Sequence, residues 1–374
     1  MAAFGDPGEW AVVMPSIRTI NPEYLRHVPE DVRVIVVDDS NGSIGPNRSN
    51  MAVYRYDDYR SWLGENDDLI PRKTDTCRSF GFYVAWREGY RYVITLDDDC
   101  KTHEGFMDGH ALVGEEREVP TVDQLPWYNT LDNLVLEIDG EPSPRFYARG
   151  VPYCYREHQP EPVITPQTGR IVCNMGMWTK VPDINGLDKL GVDVPESMSV
   201  REPYLAIGRG TEFSLCIMNV AILTEAIPAF YQLPMGANVC GHRLDRFGDI
   251  WSGYILKRLT DIRGDVITIG EPAVTHTKAG NTIRETQVEH FGHLLERDFY
   301  GLVDRAAEAT AAADYATMYH QFATNFASEV ERSSLVPAYR SLFADMGDKM
   351  VRWSQLFLPA AATTSPSAQS TSTP

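Results

Sequence analysis

The 374-residue chain has no CxxC pair among its six cysteines, Cys77, Cys100, Cys154, Cys173, Cys216 and Cys240. That spacing excludes a zinc ribbon and a disulfide framework and leaves buried free thiols as the expectation. It also lacks both the GxGxxG fingerprint and the GxxxxGK[ST] loop, so neither NAD or flavin binding nor P-loop chemistry is expected. Positive charge is scarce, with 34 Lys and Arg against 52 Asp and Glu for a formal net charge of −18. Such a surface repels a phosphate backbone, and nucleic acid is not an expected partner. No apolar run approaches a membrane-spanning length, and the first residues carry neither the basic nor the apolar part of a signal peptide. A cytoplasmic location without membrane partners is expected.

What is present begins with Arg91-Tyr-Val-Ile-Thr-Leu-Asp-Asp-Asp-Cys100, an apolar β-strand pattern that ends in three carboxylates. Adjacent anions repel one another, so the tip suggests a hard divalent cation, Mg²⁺ or Mn²⁺, which takes one or two protein oxygens and leaves the rest of its shell to water and phosphate. A solvated acidic turn is the plainer alternative. Trp10 to Pro15 and Val32 to Asp39 are further β-branched runs, with a helix expected over Asn21 to Val28 and another over Thr76 to Glu88. Continuous apolar strands alternating with helices predict an α/β fold, a Rossmann-like, mostly parallel sheet with helices on both faces. Ligands of such sheets gather at the carboxyl ends of the strands, where Asp38 and Asp97 to Asp99 fall.

Residues 104 to 199, rich in Pro, Gly and Asp, read as loops and small hairpins over that edge. A helical period from Gln287 to Leu358 predicts three helices, which cap the domain or pair subunits into a homo-oligomer. The expected division is a catalytic domain over 1–286, a helical extension over 287–358, and a disordered Ala/Thr/Ser/Pro-rich tail over 359–374.

Several segments in order resemble the reversibly glycosylated polypeptide family, also called UDP-arabinopyranose mutases. They are Val13-Met-Pro-Ser-Ile-Arg18, Lys73-Thr-Asp-Thr-Cys-Arg-Ser-Phe-Gly81, Ile94 to Cys100, Arg149-Gly-Val-Pro-Tyr-Cys-Tyr-Arg156, Gly176-Met-Trp178 with Val181-Pro-Asp183, Met218-Asn219, Arg246-Phe-Gly-Asp-Ile-Trp-Ser-Gly253 and Thr275-His-Thr-Lys278. The resemblance implies a GT-A-like glycosyltransferase fold, a divalent metal and interconversion of pyranose and furanose rings on a nucleotide. It also implies that Arg156 accepts a sugar covalently. The sequence departs from the family around Arg149 and Arg156, and keeps one carboxylate, Asp249, where the family has two.

On this reading Asp97, Asp99 and His276 are metal-ligand candidates. Arg18, Lys73, Arg78, Asp98 and Lys278 are candidates for phosphate, ribose or base. Asp38 would accept from the uracil or guanine edge, which leaves the base, and so a UDP-pentose or a GDP-hexose, open. Arg156 either bonds the sugar, with Asp183, Asp188 or Glu157 assisting its deprotonation, or clamps the diphosphate while Asp249 holds the glycosyl cation and Arg149 supports the site. Trp178 and Trp251 would stack on base or sugar or else pack in the core, and Asn219 belongs to the sugar pocket. The competing functions are a glycosyltransferase using an external acceptor, with Asp249 as base, and a non-catalytic sugar-nucleotide-binding partner.

Overall fold

The computed structural model describes residues 4–40, 42–156, 160–277 and 280–359. Four parallel strands open the chain, in the order Met51–Tyr54, Arg33–Asp38, Trp10–Ser16, Tyr92–Leu96. The helix Cys77–Glu88 connects into the last of these, and its run from Cys77 to Ala85 is buried. Gly81 lets that helix lie close on the first strand, since a Cβ there would collide with Val13. Gly89, at φ 83°, ends the helix by donating to Ala85 O. This is the βαβ half that the apolar runs predict, with one difference. The Asn21–Val28 segment forms only a 3₁₀ turn, Pro22–Leu25.

Beyond Tyr92–Leu96 the sheet continues through Asn219–Leu223, Val163–Lys180, Glu116–Asp123, Tyr204–Ile207 and Val266–His276 to the two-residue strand Cys100–Lys101. Pairing is antiparallel at the junction with Asn219–Leu223 and parallel between Val163–Lys180 and Val266–His276. The 18-residue strand Val163–Lys180 replaces the loops expected there, with its first residues exposed and Ile171 to Trp178 buried. Three helices that sequence patterning missed are the short Phe106–His110, Tyr56–Leu63 and Gly248–Arg263. Gly248–Arg263 holds two glycines, and at Gly253 any Cβ would meet Leu215, so close packing selects glycine where helical pattern alone disfavours it.

Three helices, Thr282–Glu308, Tyr315–Arg332 and Pro337–Gln355, follow the sheet. They share its core. Trp251 stacks on Phe299 with ring centroids 4.1 Å apart, and Trp353 stacks on Tyr231 at 4.9 Å while donating to Pro228 O at 3.1 Å. Among the described residues no helix is long and apolar enough to cross a membrane. Four cysteines are buried as expected, and Cys154 and Cys240 are exposed. The tail, apart from Pro359, lies outside the described residues.

Candidate active site

Strand register assembles the site. The acidic turn links Tyr92–Leu96 to Cys100–Lys101, and that short strand pairs Cys100 with His276 and Lys101 with Thr275. On its other side His276 pairs with Lys180. These pairings bring the tip and the histidine together from residues far apart in sequence, at one end of a cleft of about 500 Å³. Asp99 Oδ1 lies 4.0 Å from His276 Nε2. His276 Nδ1 donates to Val181 O at 2.9 Å, which orients the ring and leaves Nε2 on the side of the carboxylate.

The other two carboxylates of the tip are held by arginines. Asp98 accepts from Ser16 Oγ at 2.5 Å and pairs with Arg18 at 3.0 Å, and Arg18 also reaches Asp99 at 3.9 Å. Asp97 pairs with Arg78, whose guanidinium also donates to Thr95 Oγ1. Burial opposes the charge on Arg78, yet Asp97 more than offsets it and raises the pKa. Arg78 is thus a buried anchor under the tip as well as a lining residue.

The opposite wall is built on Arg149. Its Nε donates to both oxygens of Asp183 at 3.0 and 3.1 Å, and Nη1 and Nη2 donate to Asp249 at 3.1 and 2.7 Å. Asp249 sits in the first turn of Gly248–Arg263. Burial would lift the pKa of Asp183, but Arg149 holds it well below the usual carboxylate range. All three residues line the cleft.

Several expected site residues lie elsewhere. Arg156 is not among the lining residues. Its guanidinium donates to Asp188 Oδ2 at 2.6 Å and to Val151 O at 3.0 and 3.2 Å, and lies 3.7 Å from the Tyr153 ring centroid. Asp38 turns into its own loop, accepting from Ser40 N at 2.8 Å and Ile44 N at 3.3 Å, while Asp39 lines the cleft. Side chains of a strand end alternate in direction, so a one-residue step exchanges the two. Asp39 accepts from the Tyr56 hydroxyl and from Lys73 N at 2.9 Å, and burial raises its pKa. Trp178 and Trp251 are core residues, 1% and 0% exposed, and neither offers a stacking face. Asn219 is fully buried, donating to Pro272 O at 2.8 Å and holding His110. Lys73 lines the cleft, and Lys278 falls outside the described residues.

Sequence reasoning missed Asp75, Arg246, Lys189 and Glu285, all of which line the cleft. Lys189 pairs with Glu285 at 2.9 Å, and Arg246 pairs with Glu289 at 2.6 Å. Asp75 and Arg246 stand inside the Lys73 to Gly81 and Arg246 to Gly253 segments, so a signal was present. Lys189 and Glu285 carry no local motif.

A profile of the family described as "Reversibly glycosylated polypeptide" matches residues 7–361. The chain is 26% identical over 353 residues to the "Probable UDP-arabinopyranose mutase 1" of Pisum sativum, covering 92% of this chain and 89% of that protein. It is 26% identical to the UDP-arabinopyranose mutase 1 of Arabidopsis thaliana, covering 92% and 91%. A solved structure, S. aureus TarS 1–349, superposes loosely, with a TM-score of 0.29 and 10% identity over 93% of this chain and 89% of that one.

Proposed function

The chain belongs to the reversibly glycosylated polypeptide family, and on that footing we propose that it is an isomerase, a mutase interconverting the pyranose and furanose forms of a sugar carried on a nucleoside diphosphate. The observation that carries this reading is the convergence of the Asp97–Asp99 tip, His276 and Arg18 with the Arg149, Asp183 and Asp249 wall in one cleft. Mutases among its relatives bear the name of UDP-arabinopyranose, which makes a UDP-pentose the first substrate to test and a GDP-hexose such as GDP-L-galactose the second.

A divalent cation fits the donor set. Asp99 Oδ1 and His276 Nε2 face each other, with the ring oriented by the bond from Nδ1 to Val181 O. Among the described residues no group of three or more His, Cys, Asp or Glu is arranged to hold a metal ion, so in this proposal substrate phosphate and water supply the remaining ligands. When bound, the cation stabilises charge on the departing diphosphate as a Lewis acid.

The protein's own groups do the rest. Arg18 and Lys73 meet the diphosphate, with Arg18 aimed by Asp98. Asp39 faces the cleft at the end of the second strand and accepts from the base. The C1–O bond to the nucleotide breaks, its electron pair leaving with the diphosphate. The 4-hydroxyl bonds to C1 and loses its proton, the old ring oxygen leaves C1 and gains one, and the phosphate oxygen bonds to C1 again. Asp183, kept ionised by Arg149, and Asp249, paired with the same guanidinium, stabilise the cationic sugar between these events. An adduct on Arg156 would require its guanidinium to leave Asp188 and Val151 first. Intact-mass analysis after mixing with substrate separates the routes: a sugar-sized increment lost in Arg156→Ala establishes the adduct.

The test is incubation with UDP- and GDP-sugars and no acceptor, followed by NMR. A furanose product that is lost with chelator and in Asp99→Asn is expected. Sugar transfer that appears only when an acceptor is supplied would replace the mutase by a glycosyltransferase.

A further inference from the structure

Asp75 differs from every other carboxylate described in the cleft. The residue as a whole is only partly buried, yet its Oδ1 is covered and has no hydrogen-bond partner. The arginines whose charge reaches it are committed elsewhere, Arg78 to Asp97 and Arg149 to Asp183 and Asp249. Asp249 and Asp245 add like charge, and the neighbouring Cys77 is held as a neutral thiol by burial. A covered carboxyl without a donor is costly when ionised. Its pKa is accordingly pushed up to about 7, by burial first and then by Asp249 and Asp245, against the pull of Arg78 and Arg149.

Ring contraction moves one proton that no other residue has been assigned: the hydroxyl that closes the new ring loses it and the old ring oxygen gains it. We infer that Asp75 carries this proton, taking it from the 4-hydroxyl as that oxygen bonds to C1 and returning it to the old ring oxygen as that oxygen leaves C1. The carboxylate ends as it began, and nothing is consumed. The inference rests on the mutase reading. A group titrating near neutrality is suited to accept and then give up a proton with little bias either way.

The experiment compares wild type, Asp75→Asn and Asp75→Ala with UDP-arabinopyranose as probe, measuring binding by calorimetry and conversion by NMR across pH. Asp75→Asn should bind the probe as wild type does and convert it about 100-fold more slowly or worse. In the wild type the rate should rise as pH increases through about 7, where Asp75 becomes a base, and Asp75→Asn should lack that limb. Added formate should restore part of the rate to Asp75→Ala, which a merely structural role would not allow. Conversion by Asp75→Asn within about threefold of wild type, with the limb intact, would overturn the inference, as would parallel loss of binding and rate without formate rescue. A wild type that yields no furanose from UDP-arabinopyranose or from any of the GDP-hexoses would defeat the mutase reading itself.

Discussion

The pocket around His110 and the cleft wall around Asp75 each bury a titratable side chain, and they do so in opposite ways. His110 is fully enclosed with both ring nitrogens matched: Asn174 Nδ2 donates to Nδ1 at 3.1 Å, and Nε2 donates to Asn219 Oδ1 at 2.9 Å. Burial lowers its pKa to about 4, so the ring stays neutral at physiological pH and serves as a spacer between strands. Asp75 has a covered oxygen with no donor, inside a cleft that admits ligand. A matched buried group is architecture; an unmatched one on a residue that lines a cleft is a candidate for chemistry.

The wall breaks most severely at Arg149. Its removal leaves Asp183 and Asp249 buried without a counter-charge, so Arg149→Ala should lose about 3–5 kcal/mol in urea unfolding. Arg149→Lys should recover only part of this, because an ammonium cannot span both carboxylates. The His110 pocket breaks at Gly176, where a Cβ would collide with Asn219 and with the Pro272 carbonyl. Gly176→Ala should cost about 1–3 kcal/mol of stability by overpacking, with nucleotide binding unchanged in the folded fraction.

Acidity distinguishes the two regions without disrupting either. Unfolding returns His110 to its ordinary 6.5, so the unfolded chain binds a proton that the folded one refuses until about pH 4. The His110 contribution therefore falls as pH drops across that interval. Unfolding returns Asp75 to 3.8 from about 7, so its contribution falls as pH rises across that interval. Asp75→Asn removes only the second dependence. Calorimetry should find its Tm a few degrees above wild type at pH above 7, and level with wild type near pH 4. At the metal end, His276→Ala should raise the concentration of Mn²⁺ needed for half-maximal turnover by about 10-fold or more while leaving Tm in chelator nearly unchanged.

Much of this was legible in sequence where the signal is local. The acidic tip of Tyr92–Leu96, the helix Cys77–Glu88 and the parallel opening follow from apolar runs and their boundaries. His276 was recognisable only through the resemblance, since its meeting with Asp99 depends on register between distant strands. Asp38 and Asp39 could not be told apart because their difference is strand parity. Trp178, Trp251 and Asn219 sit in segments that border the cleft, but their side chains point into the core, and composition does not encode direction. Asp75 lay within a recognised segment, yet its character comes from tertiary burial first and then from Asp249 and Asp245, about 170 residues away. Arg156 belongs to the same motif as Arg149, and only tertiary contacts separate their roles.

A crystal structure with UDP and Mn²⁺ bound tests the proposed site most directly. Diphosphate and metal density are expected beside Asp99, His276 and Arg18, with the empty sugar position bordered by Asp75 and the Arg149 wall. Nucleotide bound away from the Asp97–Asp99 tip, or with its diphosphate end turned from Asp75, would contradict it.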